Sequence, residues 1–181
     1  MTLDPLEHLK YPVGRFETPD FVPPEQFGEL ISVLETFPAK LRAATERLSE
    51  AQLDTPYRPG GWTVRQVVHH CPDSHVNAYM RFKVALTEDF PTIKPYWEDR
   101  CAVLADYRLT PIHVSLDLLD ALHHRWIILL RALDTADWAR GYVHPEHQRR
   151  FTLSQVLAMY AWHSRHHLAH VTQLAKAKGW D

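Results

Sequence analysis

The 181-residue chain has only two cysteines, Cys71 and Cys101. That excludes a disulfide framework and leaves reduced thiols in a cytoplasm as the natural reading. No apolar stretch approaches the roughly 20 residues that cross a bilayer. Near its start the sequence has no basic segment followed by an apolar run and a small-residue cleavage site. A cytoplasmic protein with no membrane partner is therefore expected. Charge of one sign is also lacking: a net charge of −2 gives no electrostatic reason to expect nucleic acid as a partner. There is no internal repeat, low-complexity tract or long flexible linker, so a single domain over 1–181 is expected. No run of alternating strand pattern appears anywhere, which argues against a sheet.

What is present is an ordinary globular composition, 45% hydrophobic and 23% charged, neither disordered nor fibrous. Histidine is the outlier. Thirteen occur, and they cluster: His69, His70 and His75; His123 and His124; His144 and His147; His163, His166, His167 and His170. Histidine is the commonest metal ligand, so its clustering is the composition's one functional hint.

Prolines and glycines divide the chain into a proline-rich lead (residues 1–24) and four segments of helical period. The first runs from about Pro24 to Leu48, with Phe27, Leu30, Ile31, Leu34, Phe37, Leu41, Ala44 and Leu48 as one apolar stripe and Pro38 bending it. The second opens after Gly60-Gly61-Trp62 with a Thr63-x-x-Gln66 capping box and runs to about Thr87; Pro72 inside it should kink or break it. Residues 88–110 read as irregular. The third opens at Thr110-Pro111, a cap followed by proline at the first helical position. The fourth opens at a second capping box, Thr152-x-x-Gln155, and runs to Gly179. The pattern is that of an all-α four-helix bundle with a proline-rich N-terminal lead and an irregular connection after the second helix.

On an α-helix, residues i and i+4 share a face, so His166 and His170 project side by side, near enough to reach one cation. His163 and His167 lie nearby on the same wheel, the four within an arc of about 100°. A zinc-protease reading fails, because the residue after the first histidine of that motif must be a glutamate and here His167 stands there. A third ligand has to come from elsewhere, and the second helix offers candidates. His70, Asp73, Asn77 and Arg81 form a polar row beside the apolar Val64, Val67, Cys71, Ala78, Phe82 and Ala85, but the wheel leaves His69 and His70 as rivals.

The segments Arg58-Pro59-Gly60-Gly61-Trp62 through His70, Asp73-Ser74-His75-x-Asn77-Ala78-Tyr79-x-Arg81-Phe82-Lys83, Tyr11-Pro12-Val13-Gly14, Ile93-Lys94-Pro95-Tyr96, Leu122-His123-x-Arg125-Trp126, His144-Pro145-Glu146, and Tyr160-Ala161-Trp162-His163 through His170 resemble the DinB/YfiT-like superfamily, specifically its YfiT branch of metal-dependent hydrolases. The resemblance covers nearly the whole chain. It implies a first metal ligand eight residues after the tryptophan that opens the helix, with an aspartate three residues later; Trp62, His70 and Asp73 match, so His70 is preferred to His69. It implies that the other two ligands are the H-x-x-x-H of the last helix, matched to His166 and His170. Pro72, between ligand and aspartate, departs from the family pattern and bears on the role of Asp73.

The expected site is thus one divalent ion per chain on His70, His166 and His170, zinc by default and nickel as the alternative. Asp73 is the candidate base or positioning carboxylate, and Asn77, Trp162, His163 and Gln173 are candidate substrate-binding residues. Cys71, turned about 100° from His70, packs on the apolar face. Three imidazoles leave a coordination position open, the pattern of catalytic sites. The expected activity is hydrolysis of a small-molecule substrate, the alternatives being transfer of a low-molecular-weight thiol or metal binding without turnover. A homodimer is implied by the resemblance.

Overall fold

The computed structural model describes residues 6–180; residues 1–5 of the lead, and Asp181, lie outside them. Four long helices carry the fold: α1 (Phe27–Thr45), α2 (Val64–Thr87), α3 (Ile112–Arg131) and α4 (Leu153–Lys178). Their starts are written in the sequence. The Thr63 hydroxyl accepts from the Gln66 amide while the Gln66 side chain accepts from the Thr63 amide, and Thr152 and Gln155 repeat the exchange at α4, satisfying backbone donors that the first turn leaves free. α3 starts one residue later than the sequence predicts, with Pro111 as its cap. α4 ends at Gly179, whose φ of 65° is the left-handed conformation glycine adopts without strain. No helix among the described residues is long and apolar enough to cross a membrane.

α1 packs on α3 and α4, and α2 packs on the same two helices, so α1 and α2 face each other diagonally across the bundle. All four helices feed two apolar clusters. One holds Leu34, Ala78, Phe82, Trp126, Leu130, Val156 and Tyr160; the other holds Phe37, Leu41, Val67, Val68, Cys71, Leu119, Val171 and Leu174. Between them every helix except α1 contributes buried histidine: His70 and His75 from α2, His123 from α3, and His166, His167 and His170 from α4. The core is thus two oily layers with a stratum of imidazoles between.

Two expectations are corrected. α2 runs unbroken through Pro72. Proline costs an internal helix about 3 kcal/mol or more in isolation, but here the flanking Val67, Val68, Cys71 and His75 are all fully or nearly fully buried, and that packing holds the helix together. The second correction is a strand pair, β1 (Gly141–His144) with β2 (Arg149–Thr152), antiparallel. Four residues each is too short for alternation to register in a sequence. The hairpin is real structure nonetheless: Tyr142 and Phe151 are paired and buried, and β1 also exchanges backbone hydrogen bonds with Pro91 and Ile93. The expected irregular connection contains two short helical turns, Glu98–Cys101 and Asp106–Leu109.

Gly141 is required by close approach. A Cβ there would lie 1.9 Å from the Phe151 carbonyl oxygen, backbone that has no rotamer by which to yield. Gly141→Ala is expected to cost about 1–3 kcal/mol, a Tm drop of about 2–12 °C for a domain of this size; an unchanged melting temperature by circular dichroism would show that the strands separate freely.

Candidate metal centre

The middle of α4 puts its histidines on the bundle interior because the stripe Leu153, Leu157, Tyr160, Ser164, His167, Val171, Leu174 is buried throughout. His167 is therefore the imidazole that continues the core face, flanked by His163 and His166 and followed by His170. From α2, His70 turns toward this row, whereas His69 turns away and its Nδ1 lies 2.7 Å from Ser115 Oγ.

The expected trio does not converge on one point. Among the described residues, ligand atoms within 4.8 Å of one another group as His70, His163 and His167, and as His166, His167 and His170. His70 and the pair His166/His170 fall in different groups, and His167 belongs to both. The physical reason is helix phase: with His167 on the core axis, His163 leans toward α2 while His166 and His170 lean toward the N-terminal lead. His166 stacks on Trp162 at 4.4 Å and His170 on Tyr57 at 3.8 Å between ring centroids. His170 Nε2 also donates to the Lys10 carbonyl at 3.1 Å.

His70 Nε2 and His163 Nε2 are 3.1 Å apart. With metal–nitrogen distances near 2.0–2.1 Å, two ligands of one ion stand about 3.0–3.4 Å apart, so this pair already has the separation of a coordination edge. His166, His167 and His170 each keep a buried Nδ1 with no hydrogen-bond partner among the described residues, nitrogens that the fold does not consume. The donor set thus fits a divalent ion bound by neutral imidazoles. Electrostatics keep them neutral: burial, reinforced by neighbouring imidazoles, lowers His70 and His166 to about 3, and burial lowers His170 to about 4. His163 and His167 are pushed well below the ordinary value for the same reason.

The site opens on a cleft of about 860 Å³ lined by all five histidines, Ser74, Tyr96, Trp162 and, on its far rim, Arg81 and the hairpin's His144, Glu146 and His147. The other expected site residues distribute unevenly. Trp162 lines the cleft and donates from its ring nitrogen to the Gly14 carbonyl at 3.0 Å. Asp73 does not line it: its carboxylate accepts from Tyr107 Oη at 2.8 Å, and burial raises its pKa while that hydrogen bond opposes the rise. The nearest hydroxyl to His70 Nδ1 is instead Tyr96 Oη, 3.4 Å away, and Tyr96 in turn interacts with Tyr107. Asn77 donates to the Asp73 carbonyl of its own helix, and Gln173 lines an adjoining cavity of about 440 Å³ with Tyr57 and His170. Tyr96, His167 and the hairpin rim are the residues that sequence reasoning passed over. For His167 a signal existed, the three-four stepping of the α4 stripe; Tyr96 and His144-Pro145-Glu146 lie in segments that carry the family resemblance, but long connections bring them to the cleft, so spacing assigned them no role.

Comparison with known proteins gives a consistent result. Residues 34–171 match the DinB superfamily. YfiT of Bacillus subtilis (strain 168), named provisionally as a metal-dependent hydrolase, is 48% identical over 174 residues, 96% of this chain and 98% of YfiT. A relative from Bacillus pumilus (strain SAFR-032) with the same provisional name is 46% identical over 173 residues, again 96% and 98% of the two chains. The solved structure of YfiT, described as a probable metal-dependent hydrolase with an unusual four-helix bundle topology, superimposes with a TM-score of 0.93 over 96% of this chain and 99% of that one.

Proposed function

Since this chain belongs to the DinB superfamily, we propose that it is a hydrolase of small molecules working with one divalent ion, zinc by default, held by His70, His163 and His167. The observation that carries the reading is the convergence of three neutral imidazoles within 4.8 Å at the floor of a cleft large enough for a small substrate. Such an ion supplies Lewis acidity and lowers the pKa of water toward about 7.

The chain's own residues do the rest. Tyr96 Oη holds His70 from behind, orienting its Nε2 toward the site as an outer partner does. Trp62 packs against His70 at 4.7 Å and lies parallel to His167 at 6.3 Å between centroids, excluding water from that side. Arg81, anchored to the Lys94 carbonyl at 3.1 Å, and the Glu146 hairpin place charges of both signs at the rim, where a polar substrate group would dock. Asp73 acts on His70 only through Tyr107 and Tyr96. The homodimer implied by the resemblance has a candidate surface in Val114, Leu118 and Ile128, exposed along α3.

The test is metal analysis of the purified chain together with a panel of activated esters, amides and thiol acceptors, before and after chelation. One ion per chain and ester or amide hydrolysis that falls to background on chelation and returns with zinc is the expected result. Hydrolysis indifferent to chelation overturns the metal's role. Metal-dependent thiol transfer without hydrolysis replaces the reading by an S-transferase, and stoichiometric metal with no turnover on any arm replaces it by a binding module.

A further inference from the structure

Three buried side chains behind the candidate site have no part in the reading above. His75 and His123 are 0% and 2% exposed, and Pro38 sits inside α1. They form one continuous chain with His163. His163 Nδ1 lies 3.0 Å from His75 Nε2, His75 Nδ1 lies 2.7 Å from His123 Nε2, and His123 Nδ1 lies 2.7 Å from the Leu34 carbonyl oxygen.

The far end of that chain has a fixed polarity. A helical carbonyl normally accepts from the amide four residues on, but for Leu34 that residue is Pro38, which has no N–H. The freed carbonyl can only accept, so His123 must carry its proton on Nδ1. A neutral His123 then presents a bare Nε2, so His75 must carry its proton on Nδ1. His75 Nε2 is bare in turn, so His163 must carry its proton on Nδ1 as well. Among the described residues no acidic side chain is a hydrogen-bond partner of any of the three, so nothing holds an imidazolium and each has one ring proton to place.

We propose that Pro38, His123 and His75 act as positioning residues that lock His163 in its Nδ1–H tautomer, holding the Nε2 lone pair toward His70 and the metal. The contrast with His70 is instructive. Its outer partner is the Tyr96 hydroxyl, which donates or accepts with equal ease, so His70 is free to change tautomer when an ion arrives. One ligand is preset from behind and the other adapts.

The inference rests on His163 being a ligand, and its test separates the two. Long-range proton–nitrogen NMR of the metal-free protein reads the tautomer directly; His163, His75 and His123 are each expected as Nδ1–H, and a His163 that carries its proton on Nε2 overturns the proposal whatever the metal does. Zinc titration then reads the consequence. His75→Leu removes the acceptor for the His163 proton and is expected to weaken zinc 10- to 100-fold, the usual loss when an outer partner of a ligating histidine is removed. His75→Gln, whose amide oxygen still accepts, is expected to stay within about threefold of the original. If His75→Leu does not fold, His123→Phe breaks the relay one link further away and is expected to give a mixture of His163 tautomers with a smaller loss of affinity. Unchanged affinity in a folded His75→Leu, or equal losses in the Leu and Gln variants, overturns the proposal. Full zinc retention by His163→Ala would instead remove His163 from the ligand set.

Discussion

Alanine at His163 is expected to weaken zinc binding by more than 100-fold, and alanine at His166 by less than tenfold. Spacing alone cannot separate these two residues, since His166–His170 and His163–His167 are both four apart. The structure distinguishes them by their neighbours. His163 stands 3.1 Å from His70 and its remaining nitrogen is held by His75, the arrangement of a ligand with an outer partner. His166 is stacked on Trp162 and groups with His167 and His170 but not with His70. Losing a ligand should exceed the 10- to 100-fold cost of losing an outer partner, which sets the size of the His163 effect. His167 belongs to both groups, so its substitution abolishes binding in either case and decides nothing. The deciding comparison is a zinc competition titration on His163→Ala against His166→Ala and His170→Ala. If His166 and His170 carry the larger losses, the ion sits one turn along α4, on the group that includes them.

Acidification from pH 7 to pH 5 should unfold much of the metal-free protein. His70 and His166 lie at about 3, and His123 and His170 at about 4, in the folded state, against about 6.5 when unfolded. Their folded pKa values are depressed, so below pH 6.5 the unfolded chain binds more protons than the native one. Stability therefore rises with pH up to about 6.5 and is lost as pH falls from there toward the folded values. At pH 5 each histidine that stays neutral costs about 2 kcal/mol, and four of them approach the whole stability of a typical domain, about 5–15 kcal/mol. Urea unfolding at pH 7, 6 and 5 measures it: the midpoint should fall steadily, and a flat profile would mean that the imidazoles protonate inside the fold. Zinc should shift the loss to lower pH, because protons and metal compete for the same nitrogens.

The four helices were legible because their signals are local. Capping boxes at Thr63 and Thr152 and the three-four stepping of leucines define elements without reference to the rest of the chain. The bundle class and the histidine face of α4 came with them, while the place of an α2 histidine opposite that face followed from the family resemblance. What stayed illegible depends on contacts distant in sequence. The hairpin exists because Tyr142 and Phe151 find cover and β1 finds Pro91 and Ile93. Asp73 looks like a partner for His70 until Tyr107, 34 residues further on, takes its carboxylate. His123 is defined by a carbonyl 89 residues away. His167 is a different kind of miss: its phase was readable by continuing Leu153, Leu157 and Tyr160, but the neighbouring H-x-x-x-H pair drew the assignment away.

Four side chains of α4 hold the proline-rich lead by its backbone. Gln155, Trp162, His170 and Gln173 point their nitrogens at the carbonyl oxygens of Pro19, Gly14, Lys10 and Pro12. Every acceptor is a main-chain oxygen, an atom that all twenty amino acids present alike. Through these bonds the helix reads the course of the lead, while its spelling counts where Tyr11 and Phe16 meet His166 and Trp162 ring to ring, at the buried Val22 and at Gly14, whose φ of 80° is left-handed. Point changes elsewhere along the lead should be tolerated, while a single inserted or deleted residue would slip the whole row of carbonyls past its donors and lift the cover from His166 and His170. Related chains should therefore hold these four positions and the length of the lead, and vary in its other letters.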